Sequence, residues 1–475
     1  MIYELFNESR RNTNEHVDLS EPLKVYATTW NVGKAFPDVA NIHHWIEEKD
    51  CDLYVICLQE GGKMTAVKDG LFKYFNRLPQ DSTHTPDTLL NSEFTLMYNM
   101  KLLEISFFIF GRRRLTPYIS NIQGTTVATG LGDIVGNKGG VAFALQLMNQ
   151  RLCFVGSHLA ARETRITERM QNIQSIIKKS NLFSQDSNGG DLLSQFDHVI
   201  WLGDLNYRIT VPWDECLQLI EDENWPVLIA ADQLTVELNK GMIFQGFEEG
   251  QLHFRPSYRM IRDKEEWSDK RKQSPSWTDR VLWLSAPGSK HELKHTSYRR
   301  HGQMYGSDHR PISATFDLTL KKYYGGLLMS TQFTRTAARP NGDAYIHLTD
   351  LVIQPARVAT DKKESQLNGD LSVRVASNVL LQAQVVGQLQ QTTDGSWHMS
   401  DSDKVSFNNF MLRPFILERD FLEKQNLMLT FTSVSNGAVL GYTVIPLNQP
   451  NYQSLITING KLMAHCSGKV EMDGL

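Results

Sequence analysis

Cysteine is scarce and arranged for nothing. Only Cys51, Cys57, Cys153, Cys216 and Cys466 occur in 475 residues. Their number is odd and no two stand in CxxC spacing, which argues against a disulfide framework or a thiolate zinc site and fits a reducing compartment. No stretch approaches the roughly 18 apolar residues that a spanning helix needs. The first 22 residues carry charges throughout and lack an apolar core, so no secretory signal is expected. Neither charge dominates: 49 Lys plus Arg face 53 Asp plus Glu, a net charge of −4 that disfavours a broadly basic nucleic-acid binder. No internal repeat or low-complexity tract appears. These absences leave a globular, cytoplasmic chain of two or three domains whose contact with any membrane is peripheral.

What is present divides at about residue 320. Before it, short runs rich in Val, Ile, Thr and aromatics read as strands: Lys24–Trp30, Asp52–Leu58, Leu152–His158, His198–Asp204, Arg280–Leu284 and Ile312–Leu318. Helical spacing appears between them, in Ile166–Ile177 (Ile166, Met170, Ile173, Ile177) and in Trp213–Ile220, which predicts an α/β domain. After residue 345, strand patterns alternate with the turn dipeptides Asn368-Gly369, Asp394-Gly395, Asn436-Gly437 and Asn459-Gly460, the signature of an all-β sandwich. The expected boundaries are an extension over 1–22, an α/β domain over 23–320, a linker over 321–344 and a β-sandwich over 345–475.

The chemistry gathers at strand ends. KVYATTW runs into Asn31, DLYVICL into Gln59-Glu60, LCFVG into Ser157-His158 and HVIWLG into Asp204-Leu205-Asn206, while Ser307-Asp308-His309 precedes ISATFDL. Any one of these residues alone is ordinarily a solvated carboxylate, a turn Asn or a structural His. Five together predict one acidic, His-containing pocket where strand ends meet. Oxygen ligands without thiolates suit Mg²⁺. An Asp beside a His can orient or deprotonate a water, and Asn and His can donate to phosphoryl oxygens. Metal-assisted phosphate-ester hydrolysis follows as the expected reaction.

Eight blocks occur in order: TWNVG (Thr29–Gly33), Gln59-Glu60, TGLGDIVGNKGGV (Thr129–Val141), SHLAA (Ser157–Ala161), WLGDLNYR (Trp201–Arg208), FRPSYR (Phe254–Arg259), PSWTDRVLW (Pro275–Trp283) and SDHRP (Ser307–Pro311). The chain closely resembles the inositol polyphosphate 5-phosphatases, within the DNase I-like metal-dependent phosphoesterases. That resemblance implies two packed sheets flanked by helices. It makes Glu60 the principal Mg²⁺ ligand with Asn31 beside it and Asp308 near the metal. Asp204 orients the attacking water, Asn206 holds the scissile phosphate, and His158 is a second phosphate donor. His309 contacts the phosphate and is oriented by Asp279. No phosphoenzyme is implied, and no Cys begins a CxxxxxR loop.

By the same resemblance, Arg259 with Tyr258 reads the phosphate next to the one removed, with Lys138, Arg271 and Lys272 as further ring-phosphate contacts. The order of domains resembles the SHIP-type core, a phosphatase followed by a C2-like module packed on it. Scattered Asp361, Asp394, Asp401 and Asp403 imply no Ca²⁺ dependence there. The expected partners are a phosphoinositide headgroup and an anionic membrane surface. The substrate order is phosphatidylinositol 3,4,5-trisphosphate, then the 4,5-bisphosphate. Soluble inositol polyphosphates, an inactive lipid-binding scaffold and a nuclease of the same fold are the competing expectations. The triplets Arg112-Arg113-Arg114 and Arg299-Arg300-His301 are candidate membrane-facing basic spots.

Overall fold

The computed structural model describes residues 21–35, 39–47, 50–61, 65–79, 92–130, 138–180, 182, 190–321, 345–355, 371–376, 384–388, 405–406, 410–412, 419–433 and 438–473. Along the first unit run β1 (Leu23–Asn31), β2 (Leu53–Gln59), α1 (Thr65–Phe75), β3 (Phe94–Leu102), β4 (Ile105–Arg112), β5 (Ile119–Ala128), β6 (Gly139–Leu147), β7 (Gln150–His158) and α2 (Ile166–Lys179). Then come β8 (His198–Asp204), α3 (Trp213–Glu221), α4 (Trp225–Ala230), α5 (Gln233–Asn239), β9 (Glu248–Glu249), β10 (Asp279–Ser285), β11 (Leu293–Arg300) and β12 (Ile312–Leu318).

Two six-stranded sheets form, in the orders β11-β12-β1-β2-β4-β3 and β5-β6-β7-β8-β10-β9. Their inner strands bury both faces. All seven residues of β2 and of β8 are buried, hence their nearly unbroken apolar runs. The period of two sorts the side chains. Val25, Ala27, Ile200 and Leu202 fill the layer between the sheets. Their alternates do not: Tyr26 and Trp30 pack outward with Leu71 and Phe75 of α1, while Val199 and Trp201 pack with Ile173 and Ile177 of α2. Met170 is half-buried against the same cluster, as its spacing predicts.

Register brings the strand ends together. β1 and β2 are parallel with Asn31 opposite Gln59, and β7 and β8 are parallel with His158 opposite Asp204. β10 runs antiparallel to β8 with Asp279 opposite Asp204, and β12 runs antiparallel to β1, which puts the residues before Ile312 at the Asn31 end.

The third sheet comprises β13 (Tyr345–Pro355), β14 (Leu371–Ala376), β15 (Gln384–Gln388), β16 (Val405–Ser406), β17 (Phe410–Leu412), β18 (Asn426–Ser433), β19 (Val439–Pro446), β20 (Asn451–Ile458) and β21 (Lys461–Asp473), with α6 (Arg419–Leu422) before β18. All its pairings are antiparallel. Asn459 and Gly460, both at positive φ (51° and 80°), close the β20–β21 hairpin, the backbone that an Asn-Gly pair adopts most readily. The hairpin touches the first unit: Leu462 N donates to Gly241 O (3.1 Å) and Gln245 N to Gly460 O (3.2 Å). The other three turn dipeptides and Asp361, Asp394, Asp401 and Asp403 lie outside the described residues. Lys321 stays with the first unit, its buried ammonium on Asp197 Oδ1 (2.5 Å) and Ser289 Oγ (3.1 Å).

One expectation needs correction. Gly111 is the register partner of Leu53, so Arg112–Arg114 lie at the end of the sheet opposite Asn31 and Glu60. Their guanidiniums are engaged there: Arg112 with Glu93 and Asp52, Arg113 Nη2 with Ser92 Oγ (2.7 Å), Arg114 Nη2 with Asp52 Oδ1 (2.7 Å). In the second triplet, Arg300 and His301 are buried; Arg299 is exposed and pairs with Glu47 at 3.6 Å.

Candidate active site

Asp204, the last residue of β8, is at the centre. Asn31 Nδ2 donates to its Oδ2 (2.9 Å), His158 Nε2 lies 3.2 Å from the same oxygen, and Asn206 N donates to Oδ1 (3.1 Å). Lys138 Nζ touches His158 Nε2 from the start of β6. Opposite stands a second pair. His309 Nδ1 lies 2.8 Å from Asp279 Oδ2, which also accepts from Ser257 Oγ (2.7 Å) and Thr278 Oγ1 (2.9 Å). One ligand atom each from Asp204, Asp279 and His309 falls within 4.8 Å of the others.

Burial and charge set the proton inventory. Burial alone raises the Asp204 carboxyl, but the hydrogen bond with His158 and the charges of His309 and Lys138 outweigh this and hold it well below the usual carboxylate range. Burial disfavours a charged His309, yet Asp279, Asp204 and Asp308 lift its imidazole to about 9. Burial and the Lys138 charge push His158 down against the pull of Asp204, so a neutral imidazole sits beside a carboxylate. Lys138 is itself lowered by burial, opposed by Asp204 and Glu60. A buried anionic Asp beside neutral His158 and cationic His309 is equipped to orient water and to donate to an anionic group.

The sequence-predicted residues fall into three groups. Asn31, Lys138, His158, Asp204, Asn206, Asp279 and His309 converge as described. Glu60 follows β2 at positive φ (53°), half-buried, near enough for its charge to act on Lys138 and His158. Tyr258 lies ring to ring with His309 at 4.2 Å, and Arg259 Nε donates to Asp308 Oδ2 (3.3 Å), whose Oδ1 lies 3.8 Å from Arg262 Nη2. Arg271 and Lys272 stand apart, exposed on a turn where the Lys272 ammonium lies 5.5 Å from the centre of the Trp213 ring.

Hard-cation chemistry fits this donor set. Among the described residues the Glu60 carboxylate has no hydrogen-bond or ion-pair partner, and Asp279 Oδ1 is buried without one. Asn31 Oδ1 is already taken by Gly33 N (2.9 Å). Sequence reasoning missed Ser257, Thr278 and Ser307, whose Oγ donates to Asn31 O (2.7 Å), although all three lie inside the quoted blocks. Arg208 Nη2 donates to Asn206 Oδ1 (2.5 Å) and its Nε to Asn206 O (3.2 Å), bracing the GDLN loop.

Two packed sheets with this acidic, His-containing end define a class. The chain belongs to Endonuclease/Exonuclease/phosphatase family 2, whose profile matches residues 28–315. Within that family it belongs with the inositol polyphosphate 5-phosphatases. It is 31% identical over 338 residues to type IV inositol polyphosphate 5-phosphatase 9 of Arabidopsis thaliana, covering 64% of this chain and 79% of that enzyme. It is 30% identical over 330 residues to synaptojanin of Caenorhabditis elegans, covering 65% of this chain and 29% of that protein. The chain thus spans under a third of the synaptojanin's length. Among solved structures it resembles the 5-phosphatase domain of SpSynaptojanin in complex with inositol (1,4)-bisphosphate and calcium ion. That likeness has a TM-score of 0.52 and 26% identity, over 67% of this chain and 90% of the other. The DNase I-like α/β fold expected from the blocks is the fold observed.

Proposed function

We propose that this chain removes the 5-phosphate from phosphoinositides by direct attack of a water that Asp204 orients. Phosphatidylinositol 3,4,5-trisphosphate is the preferred substrate and the 4,5-bisphosphate the next. The observation that carries this reading is the Asp204 carboxylate, buried and anionic between Asn31 and His158, facing the His309–Asp279 pair. Asp204 receives the water's proton as the oxygen attacks phosphorus, the bond from phosphorus to the ring 5-oxygen breaks, and that oxygen takes up a proton as it leaves as a hydroxyl. His309, Asn206 and His158 donate to the phosphoryl oxygens. Mg²⁺, held by Glu60 with Asn31 and Asp308 nearby, supplies neutralisation of phosphate charge when bound.

The rim supports a membrane-borne substrate and peripheral attachment to a cytoplasmic leaflet. Leu103, Ile261 and Tyr305 are exposed at 50%, 37% and 40%. Leu103 sits in the β3–β4 turn, beside Glu104 whose O accepts from Gly61 N, and Asp263 N bonds Tyr305 O on the other side of the mouth. Arg262 and Lys264, beside Ile261, are exposed as well, a mixture suited to an anionic interface. The third sheet is read as a C2-like module that braces the phosphatase, in the SHIP-type order.

A phosphate-release panel across phosphoinositides and soluble inositol phosphates tests this. Release from 5-phosphorylated substrates only, with lipid trisphosphate first, is expected. Preference for soluble trisphosphate removes the membrane reading, and silence on every 5-phosphate refutes the activity.

A further inference from the structure

Two stretches of chain frame one side of the site: residues 256–266, carrying Tyr258 and Arg259, and residues 305–310, carrying Asp308 and His309. They are sewn together by backbone. Met260 N donates to Asp308 O (2.9 Å), Arg310 N to Ser257 O (2.9 Å) and Asp263 N to Tyr305 O (2.9 Å). At the far end of this seam sits Glu265. Its Oε2 accepts from Arg310 Nε (3.1 Å) and its Oε1 from Arg300 Nη2. Both guanidiniums are nearly inaccessible, with side-chain exposures of 0% for Arg310 and 7% for Arg300, while Glu265 keeps 30%. Each arginine also grips backbone. Arg310 Nη1 donates to Ser307 O (2.7 Å) and Nη2 to Lys264 O, and Arg300 Nε donates to Pro256 O (3.1 Å). One carboxylate therefore neutralises two buried cations that hold both stretches.

We infer that Glu265 is a positioning residue that sets the 256–266 loop, and with it Arg259, against the His309 turn. This rests on the proposed 5-phosphatase activity and extends it to the reading of the neighbouring ring phosphate. The His309 turn is anchored without Glu265. Ser307 Oγ bonds Asn31 O, Trp30 Nε1 donates to His309 O (3.1 Å), and Asp279 holds the imidazole. The loop is tied to the sheets at its start by Ser257 Oγ on Asp279 Oδ2 (2.7 Å) and midway by Arg262 Nη2 on Gly33 O (2.5 Å), but its Glu265 end is held by the two arginines. That end is the part that shifts when the carboxylate goes, and Arg259 is paired to it through Ser268 N on Arg259 O (3.0 Å) and Ile261 N on Glu266 O (2.8 Å). Removing the charge leaves two desolvated guanidiniums facing one another across the seam, which opens on the loop side.

The test is a double-mutant cycle in the full chain, using soluble inositol phosphates with and without the phosphate next to the 5-position. Glu265→Gln is expected to raise KM about tenfold on the first substrate and to leave the second within about twofold. In an Arg259→Ala background the same change is expected to cost less than about twofold on either. Glu265→Asp, which keeps the charge, is expected to recover most of the loss and stands in if the Gln variant does not fold. Equal losses on both substrates, or the full loss repeated in the Arg259→Ala background, overturn the inference. An inactive wild-type enzyme strikes instead at the proposed activity.

Discussion

Asp279→Asn isolates the charge that keeps His309 protonated. The substitution preserves shape, and the Ser257 and Thr278 hydroxyls still find the amide oxygen. What it removes is the anion 2.8 Å from Nδ1. Burial is then opposed only by the charges of Asp204 and Asp308, and the imidazole is expected to fall from about 9 to near its ordinary value of about 6.5. That drop of roughly 2.5 units is about 3 kcal/mol of lost imidazolium stabilisation. At pH 7.5 the wild-type imidazole is almost wholly charged and the variant's no more than about a tenth, so population alone costs about tenfold in kcat/KM. The deficit grows with pH, being small at pH 6 and well above tenfold by pH 8.5. Stability carries the same sign. A folded-state pKa raised above its unfolded value contributes fully below about 6.5 and is lost as pH rises through about 9. Urea unfolding of the wild type at pH 6 and pH 9.5 is expected to show this loss, and the variant to lack it. A wild-type to variant ratio that stays constant from pH 6 to 8.5 refutes the coupling.

Three further outcomes are expected. Asp204→Asn abolishes phosphate release, by about a thousandfold or more, while calorimetric binding of an inositol trisphosphate is largely kept; a variant retaining most of its kcat removes the water-orienting role. Chelation by EDTA silences the enzyme and Mg²⁺ restores it, as a rate assay before and after metal addition reads out; activity persisting in chelator excludes the metal. Arg113→Gln with Arg114→Gln leaves the ratio of vesicle to soluble-substrate turnover unchanged, because those side chains lie opposite the site and are already paired; a selective loss on vesicles restores a membrane role for that corner.

The sequence made the site more legible than its setting. Asn31, Glu60, His158 and Asp204 terminate strongly patterned strands, so their convergence needs only parallel register of β1 with β2 and of β7 with β8. The partners of Asp279 were hidden because Ser257 and Thr278 are short hydroxyls whose role depends on a pairing that no periodicity announces. The Arg112–Arg114 triplet reads as a basic patch in one dimension; Asp52 and Glu93, brought beside it by the β2–β4 and β3–β4 pairings, neutralise it in three. Ile261 and Leu103 show no signal at all, since isolated apolar residues in turns are unremarked until their neighbours are known.

Lys321 bears on how the gene is cut. A fragment stopped at residue 320, where the pattern of strands ends, strips an ammonium from Asp197 and from Glu292, 3.7 Å away, and leaves an acidic hole at the base of the sandwich. Moving the stop codon only a little downstream keeps the plug in place. The shortened enzyme then still shows bare main chain at Gly241 and Gln245, where the β20–β21 hairpin had lain.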